Sequence, residues 1–391
     1  MPTQYEEEVY KEWSDQVGSD IISLKVPGQS IIVLNSADHA NELLNKRSSI
    51  YSDRPYIHMI ASPKLTGWGK GAAVSRYNEH WKAQRRYMHD ALGKKSVKMF
   101  WPLIERDVRF TARKFLDNSS PDDIVSEICR MTGCSILSAV YGYDTTSTED
   151  PLVKIVQVAL NGFIQAAAPA NFLVNYFPFL EIIPSWHLEQ PTRPLLTRSW
   201  PIYAAKLPIH GFVTPLEEQE DPLKWAVGSL FGVGLVDSCD PSPDTSPRDP
   251  GKARQELDGV LEGAPPTLQD RDSLPYMCNI IRKLCVEVGS SDSYSTFMHS
   301  RGYIPWAISN NPQVYPEPSR FNPDRFLDPA VPDAPAFGFG RRICPGVHFA
   351  EATIFMAIST LLAVFDIQPG RDENGNPVIP DARMGPSSLV R

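Results

Sequence analysis

Apolar positions along this chain alternate between two spacings, and each spacing predicts a different element. Near the start the rhythm is that of strands. Ile21-Ile22-Ser23-Leu24-Lys25-Val26 and Ile31-Ile32-Val33-Leu34 flank Pro27-Gly28-Gln29, which reads as a β-hairpin. Ser36 then stands as the N-cap of a short helix through Leu43 and Leu44. Helical spacing takes over from about Asn78 to Leu92, from Lys95 to Leu116 and from Asp122 to Tyr141, the last carrying Ile124, Ile128, Met131, Ile136 and Leu137. It returns over Lys252 to Leu261 and over Leu274 to Leu284, where Ser273 is the expected cap and Pro275 sits in the first turn. The fold class these elements predict is mainly α with small β-sheets (α+β).

Between these runs the pattern breaks. Pro184, Pro191, Pro194, Pro201, Pro208, Pro215 and Pro222 are too dense for a long helix. Cys239 to Pro250 has loop composition, and Val288 to Arg301 is rich in serine and glycine. No internal repeat is visible. The expected organisation is one domain over 1–391, with atypical segments at about 186–222, 235–250 and 286–301.

Composition narrows the functions. The 391 residues are 42% hydrophobic with formal net charge −8, enough for a large core and the wrong sign for nucleic acid as main partner. Six cysteines show no C-x-x-C pair. Cys129 and Cys134 read as small buried hydrophobes, and an intracellular, reducing setting is expected. The polar start, Met1-Pro2-Thr3-Gln4-Tyr5-Glu6, does not read as a signal peptide, and no run of about 18 uninterrupted apolar residues predicts a membrane span.

One decamer carries chemistry: Phe337-Gly338-Phe339-Gly340-Arg341-Arg342-Ile343-Cys344-Pro345-Gly346. It reads as a glycine-rich loop entering a helix, with Pro345 at the first helical position. Phe349, Ala350, Ile354, Ala357, Ile358, Leu361 and Leu362 would form the buried face of that helix. A cysteine at a helix start beside two arginines has its thiolate stabilised twice. Gly338, Gly340 and Gly346 let backbone approach a flat ligand. An isolated cysteine there would more simply be structural; the whole decamer favours a ligand.

Phe337-x-x-Gly340-x-Arg342-x-Cys344-x-Gly346 resembles the haem-ligand loop of the cytochrome P450 family. The resemblance implies haem as cofactor, Cys344 as its axial metal ligand, Arg342 paired with a haem propionate and Phe337 shielding the sulfur. Tyr315-Pro316-Glu317-Pro318 through Phe321-Asn322-Pro323-Asp324-Arg325-Phe326 resembles the family's meander before that loop. Trp81-Lys82-Ala83-Gln84-Arg85 resembles its Trp-x-x-x-Arg helix, and i,i+4 spacing lets Trp81 and Arg85 reach one carboxylate. Tyr51-Ser52-Asp53-Arg54-Pro55 and Asp270-Arg271-Asp272-Ser273-Leu274-Pro275-Tyr276 resemble fungal members. The implied function is a haem-thiolate monooxygenase that inserts oxygen from O2 into a small apolar organic substrate. Electrons would come from an NADPH-dependent flavoprotein reductase, and the family works at the endoplasmic reticulum. Substrate contacts are expected around Gly67-Trp68-Gly69 and in the proline-rich middle. Reductase docking is expected at Lys82, Arg85, Arg86, Lys94 and Lys95, each of which also suits an ordinary solvated helix face.

The pattern departs from the family at several places. The central-helix block Leu230-Phe231-Gly232-Val233-Gly234 is followed by Leu235-Val236-Asp237-Ser238-Cys239-Asp240-Pro241, where proline halts the helix. The family's Glu-x-x-Arg pair should follow Leu274-Pro275-Tyr276, yet its place reads Ile281-Arg282-Lys283-Leu284-Cys285-Val286. No substitute clamp for the meander is evident from the letters. Glu127 and Arg130 have the right spacing too early in the chain and read as a helical i,i+3 pair. Gly302-Tyr303-Ile304-Pro305 runs straight into Trp306, where a strand and turn are expected. Such blocks joined by unmatched text have the form that altered reading frames or displaced exon joins would leave. Two alternatives therefore accompany the enzyme: a catalytically impaired haem-binding protein, and a non-folding remnant.

Overall fold

The computed structural model describes residues 6–26, 29–116, 121–144, 150, 162–163, 165–166, 171–182, 251–291, 301–303, 305–318, 320–367, 370–371 and 377–378. The expectations for 184–222, 235–250 and the central-helix block lie outside the described residues.

Helix α1 (Glu6–Val17) leads into β1 (Ile21–Val26) and β2 (Gln29–Leu34). The strands pair antiparallel, from Ile21 opposite Leu34 to Val26 opposite Gln29, as the spacing predicts. The inward members Ile22 and Val33 pack with Tyr10 of α1 and with Ala307. Next come α2 (Ala37–Ala40), a π-helical turn at Asn41–Lys46, α3 (Ser48–Tyr51) and α4 (His58–Ala61). Ser36 precedes α2 but its side chain makes no capping hydrogen bond, so the expected cap is positional only.

Helix α5 (Glu79–Leu92) starts where the spacing predicts and is capped by Asn78, whose side chain accepts from Trp81 N at 2.9 Å. The predicted run 95–116 is two elements, a 3₁₀ turn at Ser96–Phe100 and α6 (Trp101–Leu116). Helix α7 (Pro121–Tyr141) lies against α6. Glu127 and Arg130 form the expected i,i+3 pair at 2.5 Å, with Arg130 only 2% exposed. Its second donor meets Thr111 Oγ1 at 2.9 Å, so the buried charge is paired and hydrogen-bonded. Cys134 is buried as a small hydrophobe.

Helix α8 (Gly251–Leu261) is followed by a 3₁₀ turn at Leu268–Ser273 and by α9 (Pro275–Ser291). Ser273 belongs to that turn and does not cap α9. The cap comes from a distant residue: Glu256 of α8 accepts from Tyr276 N and Met277 N at 2.8 and 2.9 Å. Two orphan N–H groups are satisfied by a carboxylate, which also favours the positive end of the helix. Helix α9 runs seven residues beyond the predicted end at Leu284, because Val286 is buried against Tyr315 and Phe326. The stretch 286–301 is thus helical in its first part. It ends on β3 (Arg301–Tyr303), which pairs in parallel with β2, Ile32 opposite Arg301 and Leu34 opposite Tyr303. This strand includes Gly302 and Tyr303 themselves, and the next helix already starts at Pro305, so no strand and turn separate Pro305 from Trp306. Helix α10 (Pro305–Ser309), α11 (Val347–Val364) and the short antiparallel pair β4 (Gly370–Arg371) and β5 (Pro377–Val378) follow.

The largest core surrounds α11. Phe349, Ala352, Phe355, Met356 and Leu362 pack with Ile104 and Val108 of α6, Leu257 of α8 and Met277, Ile280 and Ile281 of α9. Ala350, Ile354, Ala357, Ile358 and Leu361, expected in the buried face, are only half-buried. The helix is apolar on nearly every side, so periodicity could not single out the innermost stripe. It is also long and apolar enough to cross a membrane by composition, yet here it packs within a core.

The meander is tied to α9 by cations. Arg282 donates to Asp333 Oδ1, to Phe326 O at 3.3 Å and to Val331 O at 3.0 Å, and its guanidinium lies 4.4 Å from the Phe326 ring centre. Lys283, 0% exposed, donates to Pro318 O at 3.0 Å. Arg325 binds the carbonyls of Glu317, Arg320 and Asn322. These bonds supply the clamp that the letters did not reveal. Arg282→Met is expected to lower stability by about 1–2 kcal/mol, since two carbonyl bonds and the ring contact are lost while the exposed ion pair adds little. Urea denaturation measures this. A change below about 0.5 kcal/mol would mean the meander is held elsewhere.

Candidate haem-thiolate site

The loop around Cys344 is shaped by two residues in left-handed conformation, Gly338 at φ +85° and Gly340 at φ +62°. Gly338 N donates to Pro335 O at 3.0 Å and Ile343 N to Gly340 O at 3.3 Å. Cys344 N donates to Phe337 O at 2.8 Å and closes the loop. Helix α11 then starts at Val347 with Gly346 as its N-cap. Pro345 therefore lies outside the helix and not at its first position. Cys344 stands three residues ahead of Val347, still close to the positive end of the helix.

The loop is seated on the N-terminal part of the fold. Phe339 packs with Leu34, Ala40, Leu44 and Ile308. Gly340 lies against the π-helical turn so closely that a Cβ would fall 1.9 Å from Leu44 O. A Cβ at Gly346 would meet nothing nearer than Cys344 Sγ at 3.8 Å. Of these two glycines, the protein's own packing demands only Gly340.

Arg342 faces inward. Its Nε donates to Ser52 O at 2.8 Å, Nη1 to Ala72 O at 3.1 Å and Nη2 to Ser75 O at 2.8 Å. The buried Trp81, 4% exposed, donates its indole N–H to the same Ala72 O at 3.0 Å. Arg342 stacks on the Trp81 ring at 4.1 Å from its centre, and Arg85 lies 5.7 Å from it. Of the residues predicted for this site, Trp81, Arg85, Arg342, Phe337, Gly340 and Cys344 thus share one neighbourhood. Arg341 points outward over the Tyr77 ring.

The electrostatics of this neighbourhood are lopsided. Burial, followed by the charges of Arg54 and Arg85, pushes Arg342 down to about 9, although Asp53 and Tyr77 oppose the shift. Burial likewise lowers Arg85, against a raising contribution from Cys344. No hydrogen bond or ion pair joins Arg85 to another described residue. Asp53 is occupied: Arg76 Nη2 reaches its Oδ2 at 2.9 Å, and Tyr77 N reaches its Oδ1 at 2.7 Å. Three guanidiniums face one engaged carboxylate beside a thiol. Such a donor set suits a planar ligand that brings both a thiophilic metal and negative charge. Sequence reasoning missed Arg54 as part of this set, though it lies in the quoted Tyr51-to-Pro55 block. It also missed the carbonyls of Ala72 to Ser75, because backbone acceptors leave no trace in residue type.

The class of the protein follows from a mainly helical body with a cysteine loop at the start of the helix that its largest core surrounds, taken together with its relatives. Comparison with known proteins agrees. The cytochrome P450 family model matches residues 4–193 and 302–385. Cytochrome P450 monooxygenase COX2 of Coprinopsis cinerea is 31% identical over 100% of this chain and 84% of its own length. Cytochrome P450 monooxygenase ple1 of Rhodocybe pseudopiperita is 32% identical over the same shares. Among solved structures, a zebrafish cytochrome P450 determined with abiraterone superposes with a TM-score of 0.71 at 22% identity, covering 97% of this chain and 96% of that one. The chain belongs to the cytochrome P450 family and is by family a monooxygenase. That family implies a haem-thiolate cofactor, and the residues present fit one: the Cys344 thiol with the partly buried guanidiniums of Arg85 and Arg342 near it.

Gly340→Ala is expected to destabilise by about 3 kcal/mol or more, from left-handed strain plus overlap with the Leu44 carbonyl. Gly346→Ala should change stability by less than about 1 kcal/mol in the protein without added haem. Thermal melts of both variants decide the matter, and similar losses would refute the packing argument.

Proposed function

We propose that Cys344 holds haem iron as thiolate, and that the chain inserts oxygen from O2 into a small apolar organic substrate. Arg342 and Arg85 pair with the haem carboxylates, Trp81 braces both, Phe337 shields the sulfur, and Gly340 and Gly346 allow close approach of the loop. Haem bound there supplies the oxygen chemistry, with the thiolate donating electron density to the iron. The protein's share is to keep Cys344 anionic, neutralise the carboxylates and exclude water. The observation that carries this reading is the closed Cys344–Phe337 loop beside three guanidiniums with a single engaged carboxylate.

Substrate contacts are assigned to the apolar cluster of Ile57, Met59, Ile60, Trp68, Val74 and Phe163, in which the Trp68 and Phe163 rings lie 5.3 Å apart. Electrons come from an NADPH-dependent flavoprotein reductase at the endoplasmic reticulum. The exposed Arg86, Lys94 and Lys95 are candidates for its docking. The packed core around α11 and the cation clamp on the meander support a folded protein over a non-folding remnant. The alternative of haem binding with impaired turnover rests on Pro241 in the central-helix block.

The carbon monoxide difference spectrum of the reduced, haem-supplemented protein tests the ligand. A thiolate-type Soret band in the wild type and its loss in Cys344→Ala are expected. No band from folded wild-type protein would overturn the reading. Product formation dependent on reductase and NADPH then separates the enzyme from the impaired binder.

A further inference from the structure

The turn that carries Trp68 is held from α5 by a side chain with no assigned part in the Trp81-to-Arg85 block. Gln84 lies three residues after Trp81, on the same side of the helix, and is 0% exposed. Its Nε2 donates to Lys70 O at 2.7 Å. Lys70 ends the 3₁₀ turn Trp68–Lys70, so Gln84 satisfies a carbonyl at the end of a helical turn. Two residues on, Ala72 O accepts the indole N–H of Trp81 at 3.0 Å. The 70–72 stretch is thus fastened to α5 at two points.

Apolar side chains stand on either side of those points. Trp68 precedes them and Val74 follows, and both belong to the cluster of Ile57, Met59, Ile60 and Phe163. The Trp68 and Phe163 rings lie 5.3 Å apart. On its other side the turn is blocked, since a Cβ at Gly69 would fall 2.7 Å from Ala61 O of α4. The turn is wedged between α4 and α5, and the bond from Gln84 sets how far Trp68 reaches into the cluster. That bond is what the amide supplies. Gln84 Oε1 is buried with no hydrogen-bond partner among the described residues, so one bond made and one acceptor left unpaired roughly offset each other in stability.

We infer that Gln84 is a positioning residue for substrate selection: its bond to Lys70 O fixes Trp68 in the apolar cluster and so sets which apolar groups the cluster accepts. The inference rests on the reading of that cluster as the substrate contact given above. Gln84 touches no substrate itself and acts through the turn.

The test compares imidazole with an imidazole carrying a biphenylmethyl arm, each titrated into the full-length, haem-supplemented protein and followed by the Soret shift. The bare ring needs no apolar wall; the arm does. Gln84→Met keeps the length and the helix preference but cannot donate to Lys70 O. It is expected to leave imidazole affinity within about twofold and to weaken the extended ligand at least roughly fivefold. Trp68→Ala should weaken the extended ligand at least as much, and the double variant no further than Trp68→Ala alone, because both act through one ring. In protein without added haem, hydrogen exchange over 68–75 should quicken in Gln84→Met while that of α11 stays unchanged. Circular dichroism establishes that each variant is folded. Equal weakening of both ligands, or losses that add in the double variant, would show that Gln84 only supports the fold and would overturn the inference. Unchanged exchange over 68–75 overturns it as well, since Gln84 would then not hold the turn. If Trp68→Ala weakens the extended ligand and Gln84→Met does not, the substrate reading stands and the Gln84 assignment alone fails. If neither variant affects the extended ligand, or the wild type has no Soret band dependent on Cys344, both fall together.

Discussion

The arrangement around Cys344 depends on three backbone carbonyls of one short segment. Ala72, Ala73 and Ser75 receive Trp81, Arg54 and Arg342, and no carboxylate lies among them. Partly buried guanidiniums are costly unless each N–H finds an acceptor. Carbonyl oxygens satisfy the donors without cancelling the charge. The segment is therefore held by hydrogen bonds from cationic side chains. Had Asp53 turned inward, the same arginines would form a closed salt bridge with little left to offer.

A second consequence of using carbonyls is seen in the meander. Arg282, Lys283 and Arg325 fasten it through backbone oxygens of Phe326, Val331, Pro318, Glu317, Arg320 and Asn322. The family's clamp uses a glutamate and an arginine at the corresponding turn. Here a fully buried lysine, Lys283, takes part in the fastening. The mechanical outcome is alike, because what must be fixed is the backbone path that delivers Phe337 to Cys344. Only the polarity of the fastening differs.

Position and chemistry meet through α11. Its apolar residues pack against α6, α8 and α9, which fixes the helix start against the core. The loop before it is pinned at the other side by Phe339 and Gly340 against Leu44. Cys344 sits between these two anchors, with its own N–H bonded to Phe337 O. The partners of both anchors, Leu44 on one side and the core helices on the other, lie outside the decamer.

The hairpin, helices α5 to α9 and the cysteine loop were legible in the chain because each rests on local rules. Period two gave β1 and β2, and helical spacing gave the start of α5 near Asn78. Trp81 and Arg85 were singled out by the resemblance to the family's Trp-x-x-x-Arg helix, not by their spacing alone. What tertiary structure decided is of another kind. Glu256 caps α9 across a gap of twenty residues in the chain. Backbone pairing with β2 makes a strand of Arg301–Tyr303. Leu44 O forbids a side chain at Gly340, and Arg54 joins Arg342 on neighbouring carbonyls. In each case the partner is a backbone atom or a residue far along the chain. Local sequence determines which conformations a segment prefers and which donors it carries. Where those donors find acceptors depends on packing, which brings distant backbone within about 3 Å and leaves no mark in the letters.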